Sequence, residues 1–255
     1  MMGIAGAILT GAALAATTLM SGTGKAGAVA DGADAMRGQF PYAVKLTMTG
    51  IKRPDGSSYD SACSAGLISP QWILTAGHCF HDENRNPVGG PPRYRTTATL
   101  GSANLDSGGG ITVDVVDVRQ AGVNDIALAK LRTPVRTRTL QIAEVEPGTG
   151  QELVLTGWGA TNDQNPVPST QLRYARVAVS SFTDYTVAVH GVWPHPDTSA
   201  CTYDSGAPYF VADRDGKATV VSVESTGPGC PHTGDETTAR VDAVAPWIHQ
   251  QLSQN

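Results

Sequence analysis

The chain has 255 residues, and its 18 Lys plus Arg against 23 Asp plus Glu give a formal net charge of −5. This length suits one large or two small domains of roughly 100–200 residues each, and the acidic balance argues against a nucleic-acid partner, which would favour a basic surface. Only 16% of the residues are charged, while 29 Gly and 16 Pro predict many turns between short strands and exclude a long coiled coil or an acidic disordered tail.

The first predicted element is a secretory signal peptide, residues 1–28. Residues 3–20 carry no charge, which is typical of the apolar part of a signal or of a membrane helix. Small residues at Ala26 and Ala28 predict cleavage after Ala28, and a second such site predicts cleavage after Ala30. We therefore expect a secreted, extracellular product that has no membrane association after signal removal; an uncleaved anchor is the alternative.

The body of the chain contains recurrent alternating or β-branched runs, which predict antiparallel strands. Turn residues separate these runs, and Asp215-Gly216 predicts a hairpin between two of them. The predicted strands are residues 43–48, 111–118, 126–131, 153–155, 174–179, 209–212 and 218–223.

A single convincing helix is predicted at the end of the chain, over residues 243–252. Pro246 is compatible with it if this proline lies in the first turn. The best linker candidate is the Gly- and Pro-containing segment 144–150. It divides the exported chain into two β-rich halves, residues 29–145 and 146–255.

Four cysteines lie in the exported part, and an even count in an oxidising compartment predicts two disulfides. Three pairings are possible, and the most local one joins Cys63 to Cys79 and Cys201 to Cys230. A Cys-x-x-Cys motif is absent from the sequence, which gives little support to a zinc site or a redox pair.

Three short motifs carry a histidine, an aspartate and a serine in that order. They are Leu-Thr-Ala-Gly-His78-Cys, Asn-Asp125-Ile-Ala-Leu and Cys-Thr-Tyr-Asp-Ser205-Gly-Ala-Pro. A serine hydroxyl is a poor nucleophile at neutral pH and needs a base in contact, and the pKa of histidine suits that task. The order also argues against an α/β-hydrolase, in which the serine comes first.

Together these motifs resemble those of the chymotrypsin-like (trypsin-like) serine proteases, from residue 29 to the end of the chain, and suggest a secreted bacterial-type member. Further matches include the segment 63–69, Gly157-Trp-Gly159 and the closing Ala-Arg-Val241. The resemblance implies an all-β fold of two antiparallel six-stranded barrels with a short C-terminal helix. It places the site in the cleft between the barrels.

The resemblance also implies a role for each motif residue. Ser205 attacks the substrate carbonyl, His78 takes and returns the proton, and Asp125 holds the imidazole and stabilises its charged form. The backbone N–H groups of Ser205 and Tyr203 form the oxyanion hole. Tyr203 departs from the family, which usually has glycine here, and Ala207 replaces a second common glycine.

In the family, the carboxylate before the nucleophile is buried against a newly formed N-terminal ammonium. The corresponding residues here are Asp204 and Val29, so cleavage after Ala28 is expected to release the activating terminus directly. Cleavage after Ala30 leaves Asp204 unpaired, and cleavage after Lys25 leaves a tail too long to dock without adjustment.

The resemblance indicates the substrate pocket less sharply. Ser199 stands at the floor position, where trypsin-type members carry aspartate, so a strong Arg/Lys preference is not implied. Ser225, Thr226 and Gly227 match the wall that binds substrate backbone, with Ser222 as the alternative alignment.

The opposite wall, normally lined by glycine, carries an acidic residue in this alignment. Glu236 stands near it with Asp235 adjacent. Either carboxylate restores basic specificity, plugs the pocket, or belongs to a solvated loop.

The sequence therefore predicts a secreted serine endopeptidase that forms an acyl-enzyme on Ser205 and acts on protein or peptide substrates. We expect a monomer that uses no cofactor. We also expect no metal, because the sequence has no dense carboxylate loop suited to calcium. The alternatives are a non-catalytic homologue that binds through the same cleft, and a secreted esterase with the same triad.

Overall fold

The computed structural model describes residues 28–213 and 215–254. The predicted signal peptide lies outside these residues except for Ala28. Numbered along the described chain, the strands are β1 (Ala33–Asp34), β2 (Ala43–Lys52), β3 (Ser58–Ser69), β4 (Trp72–Thr75), β5 (Arg95–Leu100), β6 (Ile111–Gln120), β7 (Ala127–Leu131), β8 (Gln141–Ile142), β9 (Glu152–Gly157), β10 (Arg173–Phe182), β11 (Thr186–Trp193), β12 (Pro208–Ala212), β13 (Ala218–Thr226) and β14 (Glu236–Arg240).

Twelve of these strands form two closed, six-stranded antiparallel barrels. The first barrel has the order β2-β3-β4-β7-β6-β5, and β5 closes it by pairing with β2. The second has the order β9-β10-β11-β14-β13-β12, and β12 closes it by pairing with β9. The predicted two-barrel, all-β fold is confirmed.

Strand β6 shows why such a sequence folds this way. Val113 and Val115 alternate with polar residues and face the core, but the next core residue is Val118. A register irregularity between Val115 and Asp117 shifts the pairing with β7 by one residue. The bulge returns the apolar side chains to the interior, because side chains in a strand alternate with a period of two.

The two short strands outside the barrels tie the halves of the chain together. β1 pairs with β10, and β8 runs parallel to β13, so both are attached to the second barrel. The chain segments that precede and follow the first barrel therefore both contact the second barrel. The division at residue 145 stays a prediction.

The predicted hairpin and helix are both present. Asp215-Gly216 lies in the turn between β12 and β13. The helix α1 (Ala245–Ser253) follows a 3-10 turn at Asp242–Val244, and Pro246 lies in its first turn, where a missing N–H costs nothing. Ile248 of α1 is fully buried in the core that it shares with the first barrel.

The sequence prediction missed the barrel strands β4, β5, β11 and β14 and the two-residue strands β1 and β8, while β3 was indicated only by the family resemblance of segment 63–69. β4 has four residues and its side chains are all buried, so it shows no alternation. β5 and β14 are rich in threonine, and their patterns are weak without knowledge of the partner strands.

Both predicted disulfides are confirmed. Cys63 is bonded to Cys79, and Cys201 is bonded to Cys230. The first bond links β3 to the 3-10 turn Gly77–Phe80, and the second fixes the segment that follows β11. Each therefore anchors one of the segments that carry the predicted catalytic residues.

Candidate active site

His78 and Asp125 form a close pair at the edge of the first barrel. His78 lies in the 3-10 turn after β4, and Asp125 lies in the loop before β7. Nδ1 of His78 is 2.7 Å from Oδ2 of Asp125, and the backbone N–H of His78 donates to Oδ1 over 2.8 Å. Two contacts to one carboxylate fix the orientation of the ring and leave Nε2 as the nitrogen that can serve as the base.

Ser225 adds a third hydrogen bond to the same carboxylate. Its hydroxyl donates to Oδ2 of Asp125 over 2.6 Å. Burial alone would raise the pKa of Asp125, but hydrogen bonds from His78 and Ser225 hold that pKa below its usual value. Asp125 is therefore an anion over the neutral range and can balance a positive charge on His78.

Ser205 lies in the loop between β11 and β12 and lines the same open cavity as His78. The cavity has a volume of about 640 Å³. In the described chain no hydrogen bond joins the Ser205 hydroxyl to the imidazole; such bonds often tighten only when substrate is bound.

The loop of Ser205 is bonded to the first barrel through its backbone. The N–H of Ser64 in β3 donates to the Ser205 carbonyl over 2.8 Å. Gly206 has φ +80°, and a Cβ there would overlap Thr75 Oγ1 and the Ser64 carbonyl. Glycine is thus required beside the nucleophile, because its backbone passes directly against β3 and β4.

The backbone at Tyr203 has the left-handed conformation, with φ +79°. This is the conformation that glycine adopts freely and other residues adopt at a cost. Within residues 28–213 and 215–254, neither the Tyr203 N–H nor the Ser205 N–H donates a hydrogen bond, while the N–H of Asp204 between them donates to Cys201. The two predicted oxyanion donors are therefore available.

Val29 and Asp204 are fully buried together. The Asp204 carboxylate accepts hydrogen bonds from the N–H of Gly159 over 2.7 Å and from that of Cys201 over 3.1 Å, and a third from the N–H of Val29. Burial raises the pKa of Asp204 to about 7, although these three donors oppose the rise. While the Val29 nitrogen belongs to a peptide bond it is uncharged, so no positive charge compensates the buried Asp204 carboxylate.

A second cavity, of about 210 Å³, adjoins Ser205 and contains most of the predicted substrate-pocket residues. Ser225, Thr226 and Gly227 line one side of it, and Glu236 lines another. Glu236 lies against Gly227, where a Cβ would overlap its Oε2.

Three other pocket candidates lie outside the lining of this cavity. Ser199 and the alternative Ser222 are buried, and their hydroxyls have no hydrogen-bond partner in the described chain. Asp235 is half exposed and accepts a hydrogen bond from Ser180 over 2.7 Å.

Sequence reasoning missed two groups beside this cavity, the buried Glu224 and the partly buried His232. Glu224 lines it and is bonded through Oε2 to the Tyr209 hydroxyl over 2.6 Å. His232 Nε2 lies 2.9 Å from Oε1 of Glu236. The available cue was Glu224 itself, a carboxylate directly after the predicted strand 218–223, since buried charges are rare unless paired.

Comparison with known proteins accords with this geometry. A family model described as Trypsin matches residues 29–248. The chain belongs to the trypsin family. It is 30% identical over 223 residues to a trypsin-like protease of Streptomyces glaucescens, which covers 81% of this chain and 75% of that protein.

Other trypsin-family relatives are more distant. A trypsin of Sarcophaga bullata is 26% identical over 262 residues, covering 89% of this chain and 90% of that protein. Transmembrane protease serine 9 of Rattus norvegicus is 28% identical over 249 residues, which is 89% of this chain but 22% of that protein.

Membership in the trypsin family makes this chain a serine endopeptidase, a hydrolase of peptide bonds. Among the described residues, no group of three or more His, Cys, Asp or Glu could hold a metal ion. No helix in the described part is long and apolar enough to cross a membrane.

Proposed function

We propose that this chain is a secreted endopeptidase in which Ser205, His78 and Asp125 form the catalytic triad. The observation that carries the proposal is the His78–Asp125 contact of 2.7 Å at a cavity that Ser205 also lines. An imidazole oriented by an anion and adjacent to a serine hydroxyl is the arrangement that acyl transfer requires.

In the proposed mechanism, Ser205 Oγ attacks the peptide carbonyl while His78 Nε2 takes the hydroxyl proton. Asp125 stabilises the imidazolium that forms. His78 then gives the proton to the leaving amine, the C–N bond breaks, and an acyl-enzyme remains on Ser205. Water attacks the ester in the same way, with His78 as base and then acid, and returns free Ser205 with a carboxylic acid product.

The developing oxyanion needs donors that are not already engaged. The N–H groups of Tyr203 and Ser205 supply them, since neither has another acceptor in the described chain. One such donor contributes about 2.7–4 kcal/mol of transition-state stabilisation. The left-handed backbone at Tyr203 supports this role, because a tyrosine there already has the backbone conformation usual for glycine.

We further propose that signal cleavage after Ala28 creates the ammonium that pairs with Asp204. The burial of Val29 and the contact of its nitrogen with the Asp204 carboxylate support this step. A positive charge there would satisfy a carboxyl that is otherwise held neutral by burial. N-terminal sequencing of the exported protein is expected to begin at Val29, and a start at Asp31 would refute this part of the proposal.

Export is supported by the disulfides as well as by the apolar start of the sequence. Cys63–Cys79 and Cys201–Cys230 account for all four cysteines. Such bonds persist in oxidising compartments and are rare in the cytosol of most organisms.

Hydrolysis of matched substrates tests the proposal. The wild type, Ser205→Ala and the surface control Ser181→Ala are compared on casein, a peptide amide and an activated ester of the same acyl group. We expect the wild type and Ser181→Ala to cleave all three and Ser205→Ala to cleave none. Ester cleavage without amide or casein cleavage would indicate an esterase, and no cleavage at all would indicate a binding homologue.

A further inference from the structure

A groove of about 520 Å³ on the first barrel is lined by three arginines and one carboxylate. The arginines are Arg93, Arg95 and Arg132, and the carboxylate is Asp114. Arg95 begins β5, Asp114 lies in β6, and the N–H of Arg132 donates to the Asp114 carbonyl over 2.8 Å. The strands therefore fix the places of these charges, and the groove has a positive balance although the whole chain has a net charge of −5.

The arginines of the groove are only partly neutralised. Asp114 is shared by two of them, since Arg132 Nε lies 3.2 Å from Oδ2 and Arg95 Nε lies 3.9 Å from Oδ1. The side chains of Arg132 and Arg95 are 63% and 76% exposed. Arg93 pairs with Glu83 over 3.1 Å, and Glu83 is itself exposed. Such exposed ion pairs contribute little, so a competing anion can replace them at small cost.

A fourth arginine, Arg85, lines the cavity of about 640 Å³ that contains the proposed nucleophile. It is exposed, and its guanidinium has no carboxylate partner in the described chain. The nearby Asp82 organises the loop of Arg85. Its Oδ1 accepts the N–H groups of Asn84 and Asn86 over 2.9 and 2.8 Å, and its Oδ2 accepts the Asn86 amide over 3.1 Å. The Asp82 carboxylate is therefore engaged within its own loop, and Arg85 presents an uncompensated charge to the cavity.

Tyr94 joins the groove to this cavity. It lines both spaces, and its hydroxyl donates to the Cys79 carbonyl over 3.3 Å. Cys79 directly follows His78, which protonates the leaving amine in the proposed mechanism. The substrate segment after the scissile bond therefore starts beside His78, from which Tyr94 leads to the groove. The segment before the bond is expected at the 225–227 wall of the second barrel.

We propose that Arg85, Arg93, Arg95 and Arg132, here called the basic strip, bind an acidic segment of the substrate that follows the scissile bond. The proposal rests on the proposed function, because it assigns a substrate feature to that same site. The occupant is part of the polypeptide being cleaved rather than a separate polyanion, because the strip continues into the cavity of the nucleophile. The residue before the bond is not part of this proposal.

The proposal is tested with two quenched fluorescent peptides that share one casein bond cleaved by the enzyme and differ only in the tail after it. From the third residue after the bond, one tail holds a run of Glu and the other an equal run of Gln. We expect kcat/KM for the Glu tail to be higher by about tenfold at low salt, as for several exposed ion pairs. The gain should lie in KM, because the tail is remote from the reacting atoms. It should nearly vanish in about 1 M NaCl, which screens exposed charges.

Variants of the basic strip separate charge from structure. Arg95→Gln/Arg132→Gln should remove most of the preference for the Glu tail, whereas Arg95→Lys/Arg132→Lys should retain most of it. Arg176→Gln is the matched control, because Arg176 is a half-exposed arginine of the second barrel that pairs with Glu152 over 3.2 Å. It should leave the preference unchanged. All of these variants should cleave the Gln-tail peptide as the wild type does, which shows that they are folded.

The kinetic outcomes that overturn the proposal are specific. An unchanged preference in Arg95→Gln/Arg132→Gln would do so, and so would an equal loss in Arg176→Gln. A third peptide carries the Glu run before the scissile bond instead of after it. Equal acceleration by this peptide would refute the assignment of the basic strip to the leaving segment.

A binding arm separates failure of this proposal from failure of the proposed function. Both tailed peptides and a sulfated oligosaccharide are titrated into Ser205→Ala by fluorescence anisotropy. We expect the Glu-tail peptide to bind more tightly than either of the others. Hydrolysis of both peptides with equal binding would refute the basic strip alone, whereas preferential binding without any hydrolysis would support the strip and refute the triad. Tighter binding of the oligosaccharide would overturn the proposal in favour of a polysaccharide partner.

Discussion

Replacing Tyr203 by glycine is expected to stabilise the protein without loss of activity. At φ +79°, a residue with a Cβ costs roughly 1–2 kcal/mol relative to glycine. Glycine also has greater conformational freedom in the unfolded chain, and this reduces the stabilisation by about 0.5–1 kcal/mol. The net gain is therefore about 0.5–1 kcal/mol, or a rise of about 1–4 °C in Tm for a protein of this size.

Tyr203→Ala is the matched control, because it removes the ring but keeps the Cβ and the strained backbone. Thermal unfolding of the three proteins should place Tyr203→Gly above Tyr203→Ala by that margin. The kcat/KM on a peptide amide should stay within a few-fold of wild type in Tyr203→Gly, since the N–H remains. A lower Tm for Tyr203→Gly than for Tyr203→Ala would refute the argument from backbone strain.

Three further predictions follow from the contacts of the site. Asp125→Asn should lower kcat by about four orders of magnitude, because an amide does not hold the required imidazole tautomer; steady-state kinetics measure this, and a loss below tenfold would contradict it. Ser225→Ala removes the 2.6 Å bond to Asp125 and should lower kcat/KM by about tenfold while leaving the Tm within a few degrees. A chain extended upstream of Val29 should lose stability as the pH rises from 3.8 to about 7. The raised pKa of Asp204 favours its protonated form in the folded state, and folding with a protonated Asp204 becomes less favourable as protons become scarcer. The chain that begins at Val29 should lack this loss in pH-dependent urea unfolding.

Much of the fold was accessible from the sequence because its strongest patterns are local. Runs such as 43–48 and 111–118 lie within long strands, and Asp215-Gly216 marks a real turn. Strands such as β11 and β14 were missed because their pairing partners, which lie far away in sequence, decide their conformation. The bulge in β6 likewise depends on its register with β7.

The candidate site likewise has some features that the sequence predicts and others that depend on the folded chain. The motifs around His78 and Ser205 were recognisable because each is a short continuous stretch of sequence that resembles the family. The third bond to Asp125, from Ser225, spans 100 positions, and the contact of Glu236 with Gly227 depends on how β13 and β14 pair. Burial then sets the charge states of Asp204, Glu224 and Glu236, and burial is a property of the folded chain.

The most direct test of the central claim is to map the site at which a fluorophosphonate reacts. The purified protein, with its N-terminus verified as Val29, is treated with the reagent and digested for mass spectrometry, with Ser205→Ala as control. We expect one adduct, on Ser205, that is absent from the control, because only an activated serine beside free oxyanion donors reacts this way. No adduct, or an adduct on another serine, would contradict the triad of Ser205, His78 and Asp125.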